Sequence, residues 1–128
     1  MRKIVVSVQN GLLAESITRM LEESSEFLIY RAVVGSRNSL AVDCTMYGAE
    51  IVLMEVSPGH GLSLQTRLEE TKQIKSANPG CKIVLLCDEN TSPELARGVA
   101  LAKKDGRVDA FFYSSVTGRY MVTALAAL

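Results

Sequence analysis

Apolar residues gather in five runs of strand length: Ile4 to Val8, Leu28 to Val34, Ile51 to Val56, Lys82 to Cys87 and Asp109 to Tyr113. Each is rich in β-branched or aromatic residues, the side chains that pack well on a pleated surface. Runs one, three and four are nearly continuous in apolar residues rather than alternating, as in strands covered on both faces. Between the runs, apolar positions fall at helical spacing: Leu13, Ile17, Met20 and Leu21, then Leu40, Cys44 and Tyr47, then Leu64, Leu68 and Thr71. Strand and helix alternate throughout. Because parallel strands are joined by right-handed crossovers, this (βα)5 order predicts an α/β fold. Its doubly wound five-stranded parallel sheet is expected in strand order 2-1-3-4-5, with a site at the carboxyl ends of strands one, three and four.

Local punctuation agrees with these boundaries. Ser92-Pro93-Glu94 reads as an N-cap, a proline at the first helical position and an acid that suits the helix dipole. Asn78-Pro79-Gly80 reads as a stop before the fourth strand, and Lys103-Lys104-Asp105-Gly106-Arg107 ends the fourth helix with positive charge near its negative dipole end. The last helix is expected to start near Val116 or Thr117 and run to the end, with Met121, Leu125 and Leu128 on one stripe. From Tyr120 to Leu128 it is apolar nearly all round, so one face is expected to meet something other than water.

At 128 residues the chain suits one domain, 1–128, with a single core and no linker, repeat or low-complexity segment. Lys plus Arg and Asp plus Glu are 14 each. With formal charge zero there is no basic field of the kind that phosphate contacts need, which disfavours direct nucleic-acid binding. Cys44, Cys81 and Cys87 are odd in number and lack C-x-x-C spacing, so reduced thiols and a cytoplasmic location are expected. The amino end lacks a signal peptide's apolar region, and no stretch reaches transmembrane length, so no membrane association is expected. No glycine-rich nucleotide-binding motif occurs, so no cofactor is expected.

The third run ends in Glu55 and breaks at once into Val56-Ser57-Pro58-Gly59-His60-Gly61, which places a carboxylate at the carboxyl edge of a buried strand. This segment resembles the third strand and following loop of response-regulator receiver domains, CheY-like modules of flavodoxin-like fold in which an Asp at the Glu55 position accepts a phosphoryl group. The resemblance covers essentially the whole chain, yet the signature residues are mostly replaced. On its terms, the two adjacent acids that help to hold Mg²⁺ fall at Val8 and Gln9. The Thr or Ser that contacts the phosphoryl group falls at Cys87, and the Lys that ends strand five falls at Ser114. Mg²⁺ usually requires one or two carboxylates, so no Mg²⁺ is expected at a site reduced to Glu55. A thiol donates weakly and a serine carries no charge, which removes the electrostatic stabilisation that phosphoryl transfer depends on. Replacing Asp by Glu also moves the reacting oxygen by on the order of 1.5 Å. The resemblance thus points to a pseudo-receiver.

Three readings of Glu55 stand at this level: a solvated loop acid, a permanent charge that partly imitates a phosphoryl group, and an unexpected nucleophile. The carried charge is one where a phosphoryl group has nearly two. In receivers the surface of helix four, strand five and helix five serves dimerisation and output, and here that region holds Phe111, Tyr113, Tyr120, Met121 and Leu125. Phe111 falls at the family's switch aromatic, or is ordinary core. The resemblance also implies helices three and four longer than usual, by roughly two turns and one turn. The first functional reading is a phosphorylation-independent module of two-component-type signalling, not an enzyme, acting on a protein partner or a second copy through that surface. A second is a true receiver with weak phosphoryl acceptance in a phosphorelay. A third is a small flavodoxin-like enzyme using Cys87 with His60.

Overall fold

The computed structural model describes residues 1–59 and 61–128. Strands β1 (Arg2–Ser7), β2 (Phe27–Arg31), β3 (Ile51–Val56), β4 (Lys82–Cys87) and β5 (Ala110–Tyr113) form one parallel sheet in the order β2-β1-β3-β4-β5. Helices α1 (Gly11–Ser24), α2 (Leu40–Tyr47), α3 (Leu64–Ala77), α4 (Pro93–Lys104) and α5 (Gly118–Ala126) connect and follow them. This is the flavodoxin-like doubly wound topology that the alternation of runs predicts.

The pleat explains why the central runs are continuously apolar. Alternate residues of each strand enter opposite core layers. Ile4, Val6, Ile51, Leu53, Val84 and Leu86 pack with Ile17 and Leu21 of α1 and Met121 and Leu125 of α5. Val5, Val52, Met54, Ile83 and Leu85 pack with Cys44 of α2, Leu68 and Ile74 of α3, and Val99 of α4. The α1 and α5 helices approach closely because Gly118 opens α5: a Cβ there would collide with the Met20 thioether.

Every helix begins on a side-chain cap. Asn10, Ser39, Ser63, Ser92 and Thr117 each accept a hydrogen bond from the backbone N–H three residues on, relieving one of the unpaired donors at a helix start. Ser92 is followed by Pro93 at the first turn, Asn78 closes α3, and Lys103 and Lys104 occupy the last turn of α4, as their sequence context predicts.

Several boundaries differ from the sequence reading by one to three residues, the end of β2 the most. β2 stops at Arg31 instead of reaching Val34, because its one neighbour is β1, which ends at Ser7 and leaves 33–34 nothing to pair with. Val8 also lies just past β1 rather than in it. Met121 and Leu125 are 3 % and 0 % exposed, in the core between α5 and the sheet. As core residues they present no surface, which corrects their placement on the interaction face.

Candidate functional site

Register brings the carboxyl strand ends to one edge. Ser7 lies opposite Met54, Glu55 opposite Leu86, and Cys87 opposite Tyr113. Val8, Glu55, Cys87 and Ser114 therefore follow one another across the sheet at its carboxyl edge. Glu55, Cys87 and Ser114 border one cavity, but Val8 and Gln9 do not line it, and the pleat separates the Glu55 and Cys87 side chains. Glu55 is turned to the α1 side, whereas the pleat sends Cys87 into the α2–α3–α4 layer with Val56. Val8 is buried in the opposite layer, Gln9 is exposed, and Ser114 is exposed with its N–H on the Cys87 carbonyl. His60 lies outside the described residues.

Glu55 is half-buried and bonded, not freely solvated. Its Oε1 accepts the N–H of Gln9 at 2.8 Å and that of Asn10 at 3.4 Å. These amides leave β1 and open α1, so the carboxylate caps a strand end beside a helix start, where negative charge is favoured.

A second group holds the same edge, and the sequence reading did not single it out. Arg67, in the first turn of α3, is 1 % exposed. Its Nε donates to the Glu55 carbonyl at 2.8 Å, Nη2 to the Ser7 carbonyl at 3.0 Å, and Nη1 to the Ser7 hydroxyl at 3.1 Å and the Glu70 carboxylate at 3.2 Å. Burial pulls the Arg67 pKa down, and the charges of Glu70 and Glu55 push back against that shift. The guanidinium fork thus ties the ends of β1 and β3 together from the α3 side. Its signal was available: position 67 lies within the stripe of Leu64, Leu68 and Thr71, so an inward-facing cation was written in the helical spacing.

Beside Glu55 lies a cavity of about 480 Å³. Its walls include Leu12, Leu13, Pro58 and Leu95, and Glu55, Asp88 and Ser114 give it polar groups. Asp88 is held below the usual carboxylate range by the Asn90 N–H, then by the side chain of Thr91, against a small opposing effect of burial. Burial pushes the Cys87 thiol up to about 11, and the charges of Glu89 and Asp88 add to the shift. Burial likewise raises Cys44 to about 12 and Cys81 to about 11. Such thiols are poor nucleophiles near neutral pH. Among the described residues, no group of three His, Cys, Asp or Glu side chains is arranged to hold a metal ion, and no helix is long and apolar enough to cross a membrane.

The aromatic residues of β5 divide by the pleat. Phe111 and Tyr113 face α4, with ring centroids 5.3 Å apart, and the Tyr113 hydroxyl donates to the Ala96 carbonyl at 3.4 Å. Phe112 faces α5 and meets the ring of Tyr120 edge-on. Tyr120, 63 % exposed, and Leu101 of α4 are the large apolar side chains that this region shows to solvent among the described residues.

No protein-family model matches the chain, and no curated protein matches it in sequence. Solved structures do resemble it. A CheY-like response-regulator receiver domain protein from Methanospirillum hungatei superposes with TM-score 0.70 at 13 % identity, over 99 % of this chain and 92 % of that one. A CheY-like protein from Pseudomonas aeruginosa, TadZ, superposes with TM-score 0.75 at 13 % identity, over 99 % and 98 %. The signal receiver domain of the putative response regulator NarL from Mycobacterium tuberculosis superposes with TM-score 0.72 at 14 % identity, over 98 % and 94 %. The chain has the fold of response-regulator receiver domains.

Proposed function

We propose that this chain is a receiver-like regulatory module of two-component-type signal transduction that works through protein contacts without phosphoryl transfer. It is a single cytoplasmic module and not an enzyme, with Glu55 as a fixed negative charge in place of the phosphoacceptor Asp. The bonding of Glu55 carries this reading. A phosphoacceptor needs a carboxylate oxygen aimed at the donor and flanked by metal and cation. Glu55 holds the amides of Gln9 and Asn10 on Oε1, and Oε2, the oxygen left over, has no acid at Val8 or Gln9 and no cation at Ser114 to flank it. The residues here do not fit Mg²⁺: Val8 is apolar and buried, Gln9 offers a neutral carbonyl, and Glu55 is the one carboxylate of the expected ligand set. Ser114 supplies no charge, and the nearby cation, Arg67, is directed at main-chain carbonyls.

The weakly phosphorylatable receiver is separated from this reading by one measurement. The chain is incubated with acetyl phosphate and Mg²⁺ and its intact mass recorded. An unchanged mass is expected, and a stable gain of one phosphoryl group overturns the proposal. The enzyme reading loses its support to the burial and raised pKa of Cys87. Partner contact is assigned to the surface of α4, β5 and α5, to a second copy or another protein. Exposed Leu101 and Tyr120 and half-buried Phe111 and Tyr113 support that assignment.

A further inference from the structure

We propose that the cavity beside Glu55 binds a small organic cation with an apolar body, such as an alkylammonium or arylalkylammonium compound. This rests on the reading that the edge transfers no phosphoryl group. About 480 Å³ lies within the range of small-molecule sites, which combine mostly apolar walls with a few convergent polar groups. The walls meet that description: Leu13, Pro58 and Leu95 line the cavity, and Leu12 stands at it 78 % exposed, an apolar side chain with no packing partner in the core clusters.

Charge selects the kind of ligand. Two carboxylates, Glu55 and Asp88, line the cavity, and no Lys or Arg does. Asp88 is held ionised by the Asn90 amide and its neighbours. Glu55 receives its two amides on Oε1, and no described residue donates to Oε2. The start of α1 offsets part of that charge, but the amides of Gln9 and Asn10 there are already met by Glu55 Oε1, and side chains of one sign between low-dielectric walls concentrate ions of the opposite sign. A metal ion is a poor occupant, because no group of three ligating side chains is assembled among the described residues. An ammonium group needs only hydrogen-bond acceptors, which Glu55 Oε2, Asp88 and the Ser114 hydroxyl offer. The apolar walls then cover its hydrocarbon part.

The test compares hexylammonium with hexanoate, equal in chain length and opposite in charge, at constant ionic strength. Amide ¹H–¹⁵N spectra of the full chain are recorded during each titration. Saturable shifts confined to Gln9, Asn10, Ser114 and their neighbours are expected with hexylammonium alone. Glu55→Gln, which keeps an oxygen for the two amides, should weaken that binding by about tenfold, the scale of one charge-assisted contact. Equal shifts with both probes, shifts scattered over the surface, or hexylammonium binding unchanged in Glu55→Gln would overturn the proposal. The acetyl phosphate mass is read on the same preparation. An unphosphorylated chain that does not distinguish the two probes keeps the functional reading and loses this inference, whereas a phosphorylated chain loses both.

Discussion

Both edges of the sheet close a strand end with a carboxylate. At the amino edge Glu50 Oε2 accepts the Lys3 N–H at 2.9 Å, and Asp109 Oδ2 accepts the Ile83 N–H at 2.8 Å and the Lys75 ammonium at 2.9 Å. At the carboxyl edge Glu55 Oε1 does the same for Gln9 and Asn10. In each case an amide at or near a strand end, without a strand partner on one side, finds a side-chain acceptor from a neighbouring segment. By position Glu55 lies at the carboxyl edge of the sheet, but by bonding it belongs with Glu50 and Asp109. The cations separate the two edges: Lys75 bonds the Asp109 carboxylate directly, whereas Arg67 binds the main chain beneath Glu55 and acts on that carboxylate through space without a bond to it. The carboxyl edge is thus built on a buried cation, while the charged side chains lining its cavity among the described residues, Glu55 and Asp88, are both negative.

The strongest way to break this comparison is to remove the buried cation. Arg67→Met keeps the stem and discards the fork, stranding the carbonyls of Ser7 and Glu55 and the Ser7 hydroxyl. A loss of about 3–5 kcal/mol in urea unfolding is expected, the scale for breaking one side of a buried charged contact. Arg67→Lys should recover only part of it, because an ammonium does not span three acceptors in a fixed plane. A neutral Arg67→Met would mean that the carboxyl edge does not depend on its cation.

Next in size is the amino edge. Burial opposes ionisation of Asp109, but the Ile83 amide and the Lys75 ammonium outweigh it and hold the carboxyl below its usual range. A carboxyl depressed in the folded state adds stability above its unfolded pKa, near 3.9, and that contribution is lost as pH falls through the folded value. Asp109→Asn should therefore cost about 1–2 kcal/mol at pH 7. The deficit should shrink as pH falls below about 4. A deficit independent of pH would show that the charge of Asp109 contributes nothing to this edge.

These two residues also show where the sequence could be read and where it could not. Strand order, helix stripes and caps were legible because each follows from local periodicity or from a short pattern such as Ser92-Pro93-Glu94. Glu55 was legible as a position, since a carboxylate ending an apolar run marks a strand edge. Its bonds were not, because they join β3 to a turn 46 residues earlier in the chain. Cys87 and Glu55 border the same cavity, but the pleat turns their side chains to opposite faces of the sheet, and the register that decides this is a tertiary fact. Arg67 is hard to read as buried because charged residues are rarely fully buried, a rule that fails where strand-end acceptors and the Glu70 carboxylate together satisfy the guanidinium. Met121 and Leu125 were assigned to a surface because α5 is apolar nearly all round. Small residues such as Ala124, Ala126 and Ala127 supply much of its other faces.

Glu55 itself should matter less to stability than Asp109. Its carboxylate is half-buried, and water can reach amides that it leaves. Glu55→Ala is expected to cost about 1 kcal/mol, and Glu55→Gln less than that, since the side-chain oxygen still accepts the Gln9 N–H. Urea unfolding measures both. If Glu55→Gln were as costly as Glu55→Ala, the charge rather than the cap would hold the strand end, and the kinship with Glu50 would fail. Glu55→Asp is expected to leave the intact mass after acetyl phosphate treatment unchanged, because it restores neither an acid at Val8 nor a cation at Ser114.

The smallest expected effect on stability lies away from both edges. Leu101 and Tyr120 are 55 % and 63 % exposed on α4 and α5, the helices that flank β5 on its two faces. Exposed side chains removed from caps and core usually change stability by no more than about 0.5 kcal/mol. Tyr120→Ser also loses its edge-on contact with Phe112, centroids 6.3 Å apart, so its cost should exceed that of Leu101→Ser. Association is the sharper readout. If this surface is where a second copy docks, light scattering at increasing concentration should give a mass that rises toward a dimer in the native chain and stays that of a monomer in Leu101→Ser/Tyr120→Ser. Where the native chain is monomeric, the same pair should weaken capture of a purified partner while urea unfolding stays within that margin. A double variant that associates like the native chain would move the interaction surface elsewhere, with exposed Val42 and Met46 of α2 the next apolar face to test.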